Sequence, residues 1–123
     1  MDITIDERIT GGVTVLDIAG RLISDQAAQH LNDAVNGLLS QERTHIVLNL
    51  ENVPYIDSGG LGQLVASHQS VKKTGGGLKL LDVNAPNPEL LSMTHLVTIF
   101  ESFGSEAEAV QSFETITPPT LLR

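Results

Sequence analysis

The chemically most distinctive residues of this chain are the neighbouring Asp57 and Ser58, which open the motif DSGGLG at positions 57–62. A serine that acts as a nucleophile needs a base within hydrogen-bond reach and an acid that orients this base. His68 cannot be the base, because it follows Ser58 by ten residues on the same predicted helix, about 15 Å along its axis. The histidines at positions 30, 45 and 95 fall at predicted surface or strand-start positions, and the G-x-S-x-G pattern of a nucleophile elbow is absent. The pattern therefore argues against serine hydrolysis.

Metal and nucleotide sites lack their usual ligands in this sequence. The chain has no cysteine, no H-x-x-x-H pattern and no E-x-x-H pair on a predicted helix. The glycine run at positions 75–77 lacks the spaced glycines and the Gly-Lys-Ser/Thr ending of a P-loop. We therefore expect a protein that is not an enzyme and that carries no metal and no cofactor.

The motif follows a predicted strand and opens a predicted helix. The run at positions 45–50, HIVLNL, has the length and the aliphatic character of a buried strand. Asp57 and Ser58 are both good helix-capping residues, and they precede apolar residues spaced by three and four positions. One helix face is predicted from this spacing, and it consists of Leu61, Leu64, Val65, His68 and Val71. Ser58 is thus expected at a strand-to-helix turn.

The rest of the chain alternates strands with helices. Strands are predicted at 2–7, 13–19, 78–83 and 96–100, with a glycine turn between the first two, and a turn is predicted at 101–104. Helices are predicted from a Ser24 cap onward, at 88–93 and at 106–113. We expect an α/β domain over residues 1–114, with about four helices on a mixed, mostly parallel sheet of four to five strands. Residues 115–123 are expected to form a disordered tail. In such a sheet, Ser58 lies where strand carboxyl ends meet helix amino ends.

Composition excludes several classes of function. The 123 residues carry a net charge of −8, which argues against nucleic-acid binding because that depends on Lys and Arg. The absence of cysteine fits a reducing compartment, and no apolar run reaches the roughly 18 residues of a membrane span. The first residues lack the pattern of a signal peptide. We expect a cytoplasmic protein without membrane insertion.

These exclusions leave Ser58 as a residue that another protein modifies. Phosphorylation would add about 1.5 to 2 negative charges, which the amino end of a helix tolerates. A partner docked over this turn would not tolerate the added charge unless it offered a cation. The residues alone leave a second interpretation open, in which the serine caps the helix and the glycines serve packing.

The motif and its surroundings resemble the STAS domain, and more narrowly the bacterial anti-sigma factor antagonists, also called anti-anti-sigma factors. The resemblance covers residues 3–113, including the strand before the motif and the segment at 75–80. It implies a phosphoprotein that regulates transcription in stress responses by partner switching. The unphosphorylated protein would bind an anti-sigma factor, itself a GHKL-type serine kinase, and so release the sigma factor. This kinase would phosphorylate Ser58, and a PP2C-type phosphatase would reset it.

The resemblance also implies which residues form the partner surface. They are Asp57, Ser58, Gly59, Gly60, Leu61 and Gly62 in the motif, with Arg21 and Ile23 after the second strand. Two features depart from the family pattern. Gly59 stands where Ser or Thr is common, and Arg21 and Ile23 stand where acidic residues are common. The alternative function is a non-catalytic scaffold STAS subunit of a signalling or lipid-transport complex, in which Ser58 is only a helix cap.

Overall fold

A computed structural model of the chain describes residues 3–23, 25–81 and 101–114. The predicted Ser24 cap, the helix at 88–93, the strand at 96–100 and the tail at 115–123 lie outside the described residues. Within those residues, no helix is long and apolar enough to cross a membrane.

The described residues form five strands and three helices. In chain order they are β1 (Ile3–Thr10), β2 (Val13–Gly20), α1 (Asp25–Ser40), β3 (His45–Asn52), α2 (Ser58–Lys73), β4 (Gly77–Leu81), β5 (Ser102–Phe103) and α3 (Glu106–Glu114). The predicted α/β class is confirmed. The turn predicted at 101–104 is wrong in part, because Ser102 and Phe103 pair in parallel with Leu80 and Leu81. A two-residue strand depends on its neighbour in the sheet, and local sequence does not reveal it.

The strands lie in the order β1-β2-β3-β4-β5 in one sheet. β1 and β2 form an antiparallel hairpin, whose turn places Gly11 and Gly12 at φ values of 59° and 79°. Such left-handed backbone favours glycine. The pairs β2–β3, β3–β4 and β4–β5 are parallel, with α1 and α2 as crossover connections. The carboxyl ends of β2, β3 and β4 therefore lie along the same edge of the sheet, called here the carboxyl edge.

The two faces of the sheet are covered by different helices. One face packs against α1 and α2 in the main core, which includes Leu16, Ile18, Leu31, Val35, Ile46, Leu48, Leu64, Val71, Leu78 and Leu80. The opposite face packs against α3 through Val13, Val15, Val47, Leu81, Ala109, Val110 and Phe113. Because β3 is buried on both faces, its sequence is nearly continuous in aliphatic residues. The helices on both faces of the sheet hold β3 in place, and with it the start of the turn that joins β3 to α2.

Candidate functional site

The amino end of α2 is built around Asp57. Asp57 has extended backbone angles, and its Oδ1 accepts a hydrogen bond of 2.8 Å from the Gly60 amide. Its carbonyl oxygen accepts the first helical bond, 2.8 Å from the Leu61 amide. Asp57 is therefore the N-cap, and Ser58 is the first residue inside the helix. The alternative that made Ser58 the cap is wrong on this point, since the neighbouring carboxylate performs that task.

Ser58 lies on the surface of the carboxyl edge, and so does Gly59. The first amide groups of a helix have no intrahelical acceptor, so the backbone around Ser58 favours a negative group. A hydroxyl in this position is accessible to a visiting protein. The Ser58 hydroxyl is not the helix cap, because the Asp57 carboxylate accepts the capping hydrogen bond.

The three glycines of the motif have different environments. A Cβ atom on Gly60 would lie 2.2 Å from the carbonyl oxygen of Leu22, so this buried position cannot accept a side chain without movement of backbone. A Cβ on Gly62 would meet nothing within 4 Å, and one on Gly59 would meet only Asp57 Oδ1, at 3.4 Å. The fold therefore requires a glycine at position 60. It leaves positions 59 and 62 without a steric reason for one.

Two motif residues that the resemblance assigns to the partner surface are buried instead. Leu61 is 3% exposed and belongs to the core between the sheet and the two long helices. Gly60 lies against Leu22 beneath the first turn of α2. As the structure stands, a partner cannot contact either residue, and both act by holding the turn in place.

The segment after β2 lies directly against the segment before α2. The Leu22 amide donates to the carbonyl of Tyr55 at 3.0 Å, and the Asp57 amide donates to the carbonyl of Leu22 at 3.2 Å. Leu22 and Ile56 form a parallel bridge and are both buried. Since side chains alternate along such a segment, Arg21 is exposed, while Ile23 is half-buried. The structure thus brings Arg21 and Ile23 beside the turn that carries Ser58.

Tyr55 is a surface residue that the sequence analysis missed. Its side chain is 48% exposed, and the register of the Leu22–Ile56 bridge places it beside Arg21. The only sequence signal is that the one tyrosine of the chain lies two residues before Asp57, where the motif begins. We call the exposed residues Arg21, Tyr55, Ser58, Gly59 and Gly62 the Ser58 surface.

The Ser58 surface has the residue types of a docking site. In the part of the chain that the structure describes, no three His, Asp or Glu side chains are close enough to hold a metal ion. An exposed tyrosine and an arginine are residue types that often dominate the binding energy of protein interfaces. Arg21 and Tyr55 therefore give this surface a composition that is typical of protein interfaces.

Comparison with known proteins gives concordant results. The family model for the STAS domain matches residues 4–109. An anti-sigma F factor antagonist of Paenibacillus polymyxa is 29% identical over 119 residues, which cover 94% of this chain and 99% of the relative. An anti-sigma-B factor antagonist of Bacillus subtilis (strain 168) is 30% identical over 111 residues, which cover 90% of this chain and all of the relative.

The fold is also similar to solved structures. The crystal structure of an anti-sigma factor antagonist from Mycobacterium paratuberculosis superposes with a TM-score of 0.79 at 22% identity, and the match covers 92% of this chain and 95% of that chain. This likeness concerns the fold. The aligned portions leave only a few residues of either chain unmatched.

Proposed function

Because this chain belongs to the STAS domain family, we propose that it is a cytoplasmic anti-sigma factor antagonist regulated at Ser58. Both curated relatives are named as antagonists of anti-sigma factors, and each aligns with the chain over 90% or more of its own length. In the proposed cycle, the unphosphorylated protein binds an anti-sigma factor that is also a GHKL-type serine kinase, and the sigma factor is released. The kinase phosphorylates Ser58, and a PP2C-type phosphatase removes the phosphate.

The observation that carries the proposal is the exposed hydroxyl of Ser58 directly after the Asp57 cap. A phosphate at this position would lie near the first amide groups of α2, where negative charge is favoured by roughly 0.3–1 kcal/mol. The cap bond from the Gly60 amide does not involve the serine, so the modification leaves the helix intact. The phosphorylated protein therefore stays folded.

The same phosphate is unfavourable for a docked partner. It would add about 1.5 to 2 negative charges beside the Asp57 carboxylate, in a surface that the partner must cover. Burying charge without a matching cation costs several kcal/mol, and each 1.4 kcal/mol weakens affinity tenfold. Phosphorylation of Ser58 would thus release the partner.

The test combines candidate anti-sigma kinases, ATP and three forms of the protein: wild type, Ser58→Ala and Ser40→Ala. Ser40 is an exposed serine at the last residue of α1 and serves as the matched control. We expect phosphate on wild type and on the Ser40→Ala variant but not on Ser58→Ala. We also expect the phosphorylated wild type to bind the anti-sigma factor at least about tenfold more weakly than the unmodified form.

Two outcomes would contradict the proposal. Phosphate on a residue other than Ser58, or none with any cognate kinase, would favour the scaffold function instead. ATP turnover by the purified chain alone would contradict the assignment of a non-catalytic regulator. Neither outcome could be attributed to misfolding of the Ser58→Ala variant, since wild type itself is assayed.

A further inference from the structure

Arg21 differs from the other basic residues in its surroundings. Arg8 pairs with Asp17 and Glu106, Arg43 with Glu7, and Lys79 with Glu101. Lys72 and Lys73 lie in the last turn of α2, at the end opposite Ser58. Within residues 3–23, 25–81 and 101–114, Arg21 is the basic residue that lies at the carboxyl edge without an ion pair, and it is exposed.

The backbone holds Arg21 close to the first turn of α2. The preceding contacts tie Leu22 to Tyr55 and Asp57 through hydrogen bonds of 3.0 and 3.2 Å. The carbonyl of Leu22 also lies 2.2 Å from the position of a Cβ on Gly60, so the first turn rests directly on this segment. Arg21 directly precedes Leu22, so its long side chain begins beside the segment on which the first turn of α2 rests.

We propose that Arg21 forms an ion pair with the phosphate of phosphorylated Ser58; this inference rests on the proposed modification of that serine. A guanidinium presents two parallel N–H donors that match phosphate oxygens, and such charge-assisted bonds are among the strongest in proteins. The nearby Asp57 carboxylate would otherwise repel the phosphate, so a cation at position 21 favours its doubly charged form.

The ion pair gives phosphorylation a second effect on the Ser58 surface. Before modification, the surface offers Arg21, which has no ion pair among the described residues, beside an exposed tyrosine. A partner can cover this cation only by providing an acceptor. After modification, the Arg21 guanidinium is paired with the phosphate and is no longer available to a partner. The partner then loses a docking residue and also meets the negative charge. Phosphorylation of Ser58 thus weakens partner binding in two ways.

The test needs neither a kinase nor a partner. Phosphoserine is placed at position 58 during translation, and the second ionisation of its phosphate is followed by ³¹P NMR across pH 4–9. Four proteins are compared: the otherwise unaltered chain and its Arg21→Gln, Arg21→Lys and Lys73→Gln variants. Lys73→Gln removes the same charge from the far end of α2 and is the matched control.

We expect Arg21→Gln to raise the second pKa of the phosphate, ordinarily near 6, by about half a pH unit or more. Lys73→Gln should leave this pKa unchanged, and Arg21→Lys should restore most of the difference because it retains the charge. Added salt should shrink the effect only partly, since the two groups are in contact. Circular dichroism of each variant checks that the fold is retained.

Equal titration curves for the unaltered chain and Arg21→Gln would overturn the ion pair. The proposed function would then stand, because partner binding and kinase specificity are measured separately. The converse result is also distinguishable. A clear effect of Arg21→Gln, together with failure of every cognate kinase to phosphorylate Ser58, would support the electrostatic contact and contradict the regulatory cycle.

Discussion

The face of the sheet that α3 covers and the Ser58 surface treat their charged residues in opposite ways. On the α3 face, the Arg8 guanidinium bonds Asp17 at 2.5 Å and Glu106 at 2.6 Å, and so links both strands of the hairpin to α3. Asn49 adds a bond of 2.8 Å to Asp17. The hydrogen bonds from Arg8 hold the pKa of both carboxyl groups below their ordinary values.

Lys79 follows the same rule on the same face. It is only 7% exposed, and its Nζ bonds Ser112 and Glu101, each at 2.8 Å. The ammonium also lies 4.3 Å from the centre of the Phe113 ring, within the range of a cation–π contact. Each of these charges therefore has a partner that explains it within the fold.

The Ser58 surface contains residues that the fold does not explain. Arg21 has no ion pair in the described part of the chain, Tyr55 is half exposed, and Gly62 has no neighbour that requires a glycine. The comparison teaches that a charged or unusual residue is not by itself a sign of function. A residue indicates function when the fold does not require its type. Three substitutions test this distinction.

The largest effect is expected at Gly60, the motif glycine that the fold does require. Gly60→Ala places a methyl group 2.2 Å from the Leu22 carbonyl oxygen, so the first turn of α2 must move. Overpacking of this kind typically costs about 1–3 kcal/mol of stability. Replacing glycine by alanine in a helix gains roughly 1 kcal/mol, so we expect a net loss over most of that range. Urea denaturation measures the loss of stability.

Gly37→Ala is the matched control for this substitution. Gly37 lies inside α1, and a Cβ there would meet nothing within 4 Å. We expect this variant to be as stable as wild type or more stable. Equal stability of Gly60→Ala and Gly37→Ala would remove the distinction between glycines that serve the fold and those that do not.

An intermediate effect is expected for Arg8→Met, which removes the central cation of the α3 face. The residues are partly exposed, so we expect a loss of about 1 kcal/mol at neutral pH. Because the pKa values of Asp17 and Glu106 are lowered in the folded state, this stabilisation is present above their ordinary values of 3.8 and 4.5. It is lost as the pH falls through the lower folded-state values.

The measurement is the free energy of unfolding of both proteins between pH 7 and pH 3. The difference between wild type and Arg8→Met should be largest near neutral pH and should close in acid. Arg21→Met is the comparison variant from the Ser58 surface, and it should change stability by less than about 0.5 kcal/mol. A larger loss for Arg21→Met than for Arg8→Met would reverse the assignment of the two regions.

Much of the fold could be predicted because its signals are local. Aliphatic runs and glycine turns predict the strands, and the spacing of Leu61, Leu64 and Val71 predicts the buried face of α2. The same spacing includes His68, which is half-buried, but it does not predict the burial of Ser67, which is 2% exposed. Ser67 accepts a bond of 3.0 Å from Gln63, which also bonds Asn32 of α1. A small polar residue between two helices has no apolar signal.

The family resemblance predicted the motif together with Arg21 and Ile23, but not which of these residues are exposed. Asp57 and Ser58 are recognisable as a helix start from the sequence, but which one caps the helix depends on hydrogen-bond geometry. The position of Tyr55 beside Arg21 arises from a parallel bridge between distant segments. No local pattern predicts such a pairing, so the place of Tyr55 in the Ser58 surface became visible only in three dimensions.

The smallest change in stability is expected for Gly62→Ala. The direction of this change, a gain rather than a loss, is its most informative property. The added methyl group meets nothing within 4 Å, and Gly62 lies in a helix with no positive φ, so the substitution should stabilise the protein by about 0.4–1 kcal/mol. If the glycine is kept so that a partner can approach α2, affinity for the anti-sigma factor should fall while stability rises. Urea denaturation and calorimetric titration of one preparation measure both quantities. Gly37→Ala should gain stability without losing affinity. A Gly62→Ala variant that binds as tightly as wild type would mean that this glycine serves neither the fold nor the interface, and position 62 would have to be removed from the Ser58 surface.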